Sequence, residues 1–419
     1  MQQIIYQSNE HKFPIDLVDK DALYVIETLQ KEGFVAYLVG GSVRDLLLGK
    51  TPKDYDISTS AKPEEIRKIF RNCILIGRRF RLAHIRFGKK VIEVATFRSG
   101  DTNSEHLILR DNEWGTPEED ALRRDFTING LFYDPLKKTI IDFVEGYRDV
   151  QEGLLRTIGF SYLRFKQDPV RMIRLLKFQA RFGLQIDEEA KIALTECRHE
   201  IVKSSSARVL EEILRMLESG SAQSFFKLIT HHGLVQLIFP ALGAFLETHE
   251  GEAIYEHLEE IDEMLSLSPH SSLDRSILLA CLAFPCLEKR IDRHFIQRKK
   301  IPHLGEIYQE TDALLNELFP PLCRLPRRLK GALTSILVYQ YRLTPLDKKK
   351  PLRCRISSDP DFLLAATFLQ IRAAIDPTLS PTCEEWTKQL SSSEKIETPR
   401  KRKPRRKKKK TSIQPPESS

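Results

Sequence analysis

The run Leu38-Val39-Gly40-Gly41-Ser42-Val43-Arg44-Asp45 is followed, nine residues later, by Asp54-Tyr55-Asp56-Ile57-Ser58. Phe34 to Val39 is a short β-rich run that ends at the paired glycines. Helical spacing then holds from Val43 to Leu48, until Gly49 stops it. Glycines at a strand-to-helix turn let backbone N–H groups come close to an anion, with a helix N-terminus behind them. Arg44, one turn into that helix, is placed to reach the same anion. Asp54 and Asp56 sit at i and i+2 of a predicted strand, so both carboxylates share one face with Cα atoms about 7 Å apart. Side by side they repel, and packing gives no reason for that. Divalent cations held between the two acids and a nucleotide phosphate do give one.

The acid pair alone suits solvent-facing acids on an edge strand just as well, because so short a pattern recurs by chance. Its neighbour decides. The glycine turn is neither GxGxxG nor GxxxxGK, so it does not support a dinucleotide fingerprint or a P-loop. A phosphate cradle beside a metal-binding acid pair points to nucleotidyl transfer.

Outward from this stretch, Asp21–Lys31 reads as an amphipathic helix ending before Gly33, and Pro63–Phe70 as a helix with proline in its first turn. Cys73–Ile76, Leu82–Phe87 and Val91–Thr96 read as strands, the last two joined through Gly88-Lys89-Lys90. Ser99–Gly115 is polar and reads as a loop. From about Phe165 strand signals nearly vanish. Helical windows follow at Pro169–Phe182, Asp187–Arg198, Ala207–Leu217, Ala222–Thr230, Ile254–Ser266, Asp274–Leu282, Glu306–Leu318, Leu329–Tyr341 and Asp361–Ala374. After Asp376 the chain turns to Pro, Ser, Thr and Lys, the composition of a disordered tail. Residues 1–20 look like a lead-in.

The chain has 419 residues, enough for two or three domains. No apolar run reaches the roughly 18 residues of a membrane span, and the N-terminus lacks a signal-peptide pattern. Seven scattered cysteines with no CxxC pair argue against a disulfide framework or a zinc site. A soluble protein of a reducing, cytoplasmic compartment is the expectation. Ten positive charges lie between Arg400 and Lys410, and without them the formal charge of +8 becomes −2. Such a block suits a solubilising tail, a nuclear-import signal or a tether for nucleic acid.

The glycine turn followed by Asp54-Tyr55-Asp56 resembles the signature of class II nucleotidyltransferases, which include tRNA CCA-adding enzymes and bacterial poly(A) polymerases. Three more blocks appear in the family's order. Arg123-Arg124-Asp125-Phe126-Thr127-Ile128-Asn129 resembles the block that holds ribose and triphosphate. Asp142-Phe143-Val144-Glu145-Gly146 resembles the hinge between head and neck. Asp168-Pro169-Val170-Arg171 resembles the block that reads the incoming base. Asp168 and Arg171 lie at i and i+3, and an acceptor beside a donor can mimic a complementary base edge. Where the family usually carries Glu, this chain has Gln167, which removes a charge that would orient Arg171. Glu93, on a predicted strand among apolar residues, is either a third carboxylate near the metals or a structural partner of Arg98 or another basic residue.

Leu75 to Ile85 contains Gly77-Arg78-Arg79 and resembles the block that marks bacterial poly(A) polymerases. The basic C-terminus also resembles theirs. His84 reads as a structural residue on a strand. No His-Asp metal-hydrolase pair is evident, since His231-His232 is followed by Gly.

The expected fold is α+β. A nucleotidyltransferase head with a small mixed β-sheet and flanking helices spans 14–158. A helical neck and RNA-binding domain (159–245), a helical body (246–375) and a disordered Arg/Lys-rich tail (376–419) follow. The resemblance implies template-independent transfer of AMP from ATP to RNA 3′ ends, in RNA processing and decay. Asp54 and Asp56 would hold two Mg²⁺. Gly40, Gly41, Arg44, Arg124 and Asp125 would hold the nucleotide, and Asp168 and Arg171 would choose adenine. The alternatives are a CCA-adding enzyme and a non-catalytic RNA-binding protein.

Overall fold

The structure, a computed structural model, describes residues 3–77, 82–100, 113–267, 272–347 and 359–394. The turn residues Arg78 and Arg79, most of the polar loop 99–115 and the basic run 400–410 lie outside the described residues.

The head is one mixed sheet of eight strands. These are β1 (Ile4–Tyr6), β2 (Ala36–Val39), β3 (Asp56–Thr59), β4 (Cys73–Ile76), β5 (Leu82–Phe87), β6 (Lys90–Thr96) and, after a small ribbon of β7 (Arg98–Ser99) with β8 (Glu113–Trp114), β9 (Leu131–Asp134) and β10 (Thr139–Asp142). Their order is β1-β10-β9-β2-β3-β6-β5-β4. Every neighbouring pair is antiparallel except β3 with β6, which run parallel at the centre. The strands expected at 73–76, 82–87 and 91–96 are where the alternation of apolar residues placed them. The sheet is larger than the small one expected, and it begins earlier. Ile4-Ile5-Tyr6, read as part of a lead-in, pairs with β10. Three residues are too few to show a period of two.

Helices α1 (Lys20–Lys31), α2 (Gly41–Leu47), α3 (Pro63–Ile69), α4 (Pro117–Leu122) and α5 (Gly146–Glu152) flank the sheet. The Asp19 side chain caps α1 by accepting from the Asp21 N–H at 2.9 Å. Val25, Ile26 and Leu29 of α1 are fully buried, each contributing about 1.5–3 kcal/mol.

The neck comprises α6 (Ser161–Gln167), α7 (Val170–Phe182), α8 (Glu188–Cys197) and α9 (Ser206–Leu217), with β11 (Leu154–Leu155) paired to β12 (Gln185–Ile186). Then come α10 (Ala222–His231), α11 (Leu234–Ile238), α12 (Pro240–Leu246), α13 (Glu252–Leu267), α14 (Arg275–His294), α15 (Leu304–Leu318), α16 (Arg327–Leu343), α17 (Pro360–Ile375) and α18 (Ser380–Glu394). The expected helix at 274–282 continues to His294, through Pro285. Proline removes one backbone hydrogen bond. Every residue from Ser276 to Leu287 is buried, and that packing offsets the loss.

The body also extends further than expected. Residues 376–394 were expected in a disordered tail, yet α18 packs on α17. Trp386 is 1% exposed. Its indole N–H donates to the Leu343 carbonyl at 3.1 Å, and its ring meets Phe362 at 5.6 Å between centroids. One tryptophan anchors a helix whose other residues are mostly polar, so composition concealed it. Five cysteines (Cys73, Cys197, Cys281, Cys286 and Cys323) are buried free thiols, as small core residues should be. No described helix is long and apolar enough to cross a membrane.

Candidate active site at the head–neck junction

The sheet register builds the first half of the site. Asp56 opens β3, opposite Val39 at the end of β2 on one side and Glu93 of β6 on the other. Asp54 lies two residues before the strand rather than on it, and is exposed. Burial, then the charges of Glu93 and Asp54, push the Asp56 carboxyl up to about 6, against the pull of Arg124 and Arg215. Asp56 keeps an exposed face, so the repulsion from Glu93 and Asp54 is the part that a cation would relieve. Glu93 meets His84 Nε2 at 3.3 Å, not Arg98, and its side chain is half exposed. The acceptors here are carboxylate oxygens, the donors that Mg²⁺ prefers. No three His, Cys, Asp or Glu side chains among the described residues stand close enough to enclose a metal. The arrangement is an open acidic shelf, of the kind completed by substrate phosphates and water.

The glycine turn sits directly after β2. Gly40 has φ +63° and ψ −123°, a region that a side chain strongly disfavours. A Cβ there would lie 2.8 Å from a guanidinium nitrogen of Arg124. Gly40 therefore makes room for Arg124 between the turn and the acids. Asp120 fixes that guanidinium at 2.8 Å, and the Asn129 carbonyl accepts from it at 3.3 Å. Its Nε is buried without a hydrogen-bond partner. Gly40, Gly41, Arg124, Asp54 and Asp56 thus converge on one spot with a cation beside carboxylates.

Asp125 does not join them, and Arg44, although a guanidinium nitrogen lies 3.5 Å from where a Cβ on Gly41 would stand, is already paired inside the protein. Arg44 is buried with its guanidinium on Asp45 and Asn129, 4.6 Å from the Phe178 ring centroid and 4.9 Å from that of Phe182. It faces the neck rather than a phosphate. Asp125 is buried too. It accepts from the Phe126 N–H (2.9 Å), Asn129 Nδ2 (2.8 Å) and Arg174 Nε (2.7 Å). Burial pushes its carboxyl up, but Arg174 and Asn129 outweigh that and hold it well below the carboxylate range. Its acceptor capacity is spent inside the protein, so it is not offered to a ribose hydroxyl. Arg174 continues to Glu212 of α9 at 3.0 Å, and Lys177 pairs with the same Glu212. Arg181 holds Asp45 at 2.8 Å. Together these residues form a buried polar seam between head and neck. Asn129, Arg174, Lys177 and Glu212 were missed in the sequence. Asn129 lay in plain view inside the 123–129 block, and Arg174 one turn beyond Arg171.

The block Asp142–Gly146 is a fixed turn inside the head. The Asp142 carboxylate accepts from the N–H groups of Val144, Gly146 and Tyr147 at 2.9, 3.1 and 2.9 Å. A Cβ on Gly146 would lie 2.1 Å from the Thr127 carbonyl oxygen, so only glycine fits.

Asp168 and Arg171 straddle the break between α6 and α7 rather than sharing one helix. Asp168 closes α6, and Arg171 Nε lies 4.0 Å from its Oδ2. The other carboxylate oxygen, Oδ1, is buried without a hydrogen-bond partner. Among the described residues, Arg171 hydrogen-bonds the carbonyls of Arg164 and Arg123, each at 3.4 Å. Both groups retain capacity for a base edge. Gln167 accepts from Arg164, not from Arg171.

Residues 36–156 match the family described as the Poly A polymerase head domain, and residues 183–246 match one described as a probable RNA and SrmB-binding site of polymerase A. Poly(A) polymerase I of Haemophilus influenzae is 34% identical over 387 residues, covering 88% of this chain and 83% of its own length. The chain belongs to the poly(A) polymerase family. Its members and the CCA-adding enzymes are nucleotidyltransferases, and this chain is an enzyme of that class. The CCA-adding enzyme of Lactobacillus helveticus is 36% identical, but over only 49% of this chain and 51% of its own length. The Bacillus stearothermophilus CCA-adding enzyme in complex with CTP shares the fold at TM-score 0.56 and 22% identity, covering 89% of this chain and 82% of its own length. The poly(A) polymerase match thus spans most of this chain, and the CCA-adding sequence match about half of it.

Proposed function

We propose that this chain adds AMP from ATP to RNA 3′ ends, repeatedly and without a template. The terminal hydroxyl oxygen attacks the α-phosphorus, the bond from that phosphorus to the bridging oxygen breaks, and pyrophosphate leaves. The observation that carries this reading is the convergence of the Gly40 turn, Arg124 and the Asp54/Asp56 shelf where β2 ends and β3 begins, in the middle of the sheet. The resemblance implies two Mg²⁺ ions, which Asp54 and Asp56 would hold. Bound there, they would lower the charge cost of hydroxyl attack and of pyrophosphate departure.

The chain's own residues do the rest. The Gly40-Gly41 turn brings the triphosphate close to the backbone, and the Arg124 guanidinium, seated against Gly40 and fixed by Asp120, supplies a cation to it. Asp168 and Arg171 accept from and donate to the base edge. Arg44 and Asp125 hold head to neck, which keeps the base-reading pair at a set distance from the shelf. The run of ten cationic residues from Arg400 to Lys410 holds RNA through its phosphates, whatever the sequence. The buried free thiols suit the cytoplasm.

The chemistry is tested by primer extension and pyrophosphate release with Asp56→Asn beside the wild-type chain, with circular dichroism to check folding. A folded variant that transfers at the wild-type rate would remove Asp56 from the reaction.

A further inference from the structure

Adenine and cytosine present the same pattern to an acceptor–donor pair, an amino group beside a ring-nitrogen acceptor. Guanine and uracil present a keto oxygen instead. Asp168 and Arg171 can therefore reject GTP and UTP by hydrogen bonding alone, but not CTP. Telling a purine from the smaller pyrimidine requires the pair to stand at a fixed distance.

The structure contains the group that fixes it. Arg208 of α9 donates to Asp168 Oδ2 at 2.7 Å, much closer than Arg171 at 4.0 Å. This leaves Oδ1 as the carboxylate's buried, partnerless oxygen. Arg208 lies four residues before Glu212, on the same face of α9. Glu212 is buried against Arg174 and Lys177 of α7, the helix that carries Arg171. Burial pushes the Glu212 carboxyl up, but Lys177 and Arg174 outweigh this and hold it below its ordinary range. The helix bearing Arg208 is thus pinned to the helix bearing Arg171.

We propose that Arg208 is a positioning residue for nucleotide choice: it anchors one oxygen of Asp168 so that the other meets an adenine amino group and not a cytosine one. This deepens the proposed function and rests on Asp168 and Arg171 reading the base. Arg208 has a 56% exposed side chain, so replacing it leaves the core intact.

The test measures kcat/KM for ATP, CTP, GTP and UTP on one unstructured RNA, which cancels any change in RNA affinity from the ratios. Arg208→Ala is expected to lower the ATP-to-CTP ratio about tenfold, the scale of one charge-assisted contact. Most of the change should come through KM, with the ATP-to-GTP and ATP-to-UTP ratios unchanged. Arg208→Lys, which keeps a donor, should restore part of the ratio. Asp168→Asn should change all three ratios. If Asp168→Asn changes them and Arg208→Ala leaves the ATP-to-CTP ratio at its wild-type value, the positioning role is wrong and base reading stands. If Asp168→Asn changes none, base reading itself fails, and the role of Arg208 with it.

Discussion

Asp56 and Glu93 face each other across the parallel pair of strands at the centre of the head sheet. Two carboxylates in register, with Asp54 beside them, repel in the absence of a cation.

Glu93 has His84 as a partner but remains half exposed, in register with Asp56. Glu93→Gln is expected to raise the Mg²⁺ concentration for half-maximal activity about tenfold, the low end for loss of a supporting ligand. High Mg²⁺ should recover the rate, and His84→Ala should have little effect. An unchanged Mg²⁺ titration would leave Glu93 as a partner of His84 alone.

Asp125→Asn removes the charge that Arg174 faces inside the seam. Breaking such a buried pair costs about 3–5 kcal/mol. The folded-state pKa of Asp125 is depressed, so its contribution is complete above the ordinary carboxylate value and is lost as pH falls below it. Urea unfolding should show the wild-type advantage over Asp125→Asn constant from about pH 6 to about 5 and shrinking as pH drops below about 4. An advantage that does not vary with pH would deny the ion pair its role.

Gly40→Ala places a methyl where Arg124 lies and forces an unfavourable backbone conformation. The strain costs about 1–3 kcal/mol, and displacement of Arg124 should raise KM for ATP. Calorimetry and steady-state kinetics measure the two effects separately. A well-folded variant with unchanged KM would detach the glycine turn from nucleotide binding.

Two truncations divide the C-terminus. Removal of residues 395–419 should leave thermal stability unchanged. It should also flatten the salt dependence of RNA binding, by up to about 7 in log–log slope if all ten cations of the basic run contact phosphates. Removal from residue 376 onward should destabilise the body, because Trp386 is lost, and Trp386→Ala alone should cost about 3–5 kcal/mol. Equal stability of both truncations would mean that α18 contributes nothing to the body.

The sequence showed most where physics is local. Alternation over Leu82–Phe87 and Val91–Thr96, with a turn between them, located two adjacent strands, and helical spacing located the longer helices but missed the short α4, α5, α6, α11 and α12 and the mostly polar α18. The Gly40-Gly41 turn and the acid pair were legible because their residue types make little sense as packing. The interior seam was not legible. Arg44 and Asp125 carry charges that a sequence assigns naturally to a ligand. Their partners Asn129 and Arg174 lie 85 and 49 residues away and meet them only in the fold. The same holds for Arg208, whose partner Asp168 is 40 residues upstream. Tertiary pairing likewise drew Ile4–Tyr6 into the sheet and Trp386 into the body, where local composition was silent.

Untemplated adenylation of RNA 3′ ends shows itself in the choice of RNA and nucleotide. The purified protein, with Mg²⁺ and each nucleoside triphosphate in turn, is offered an unstructured RNA and a tRNA lacking its 3′ CCA. A long ladder on the unstructured RNA with ATP alone is the expected result. Three additions confined to the tRNA, needing CTP and then ATP, would contradict it and make the chain a CCA-adding enzyme.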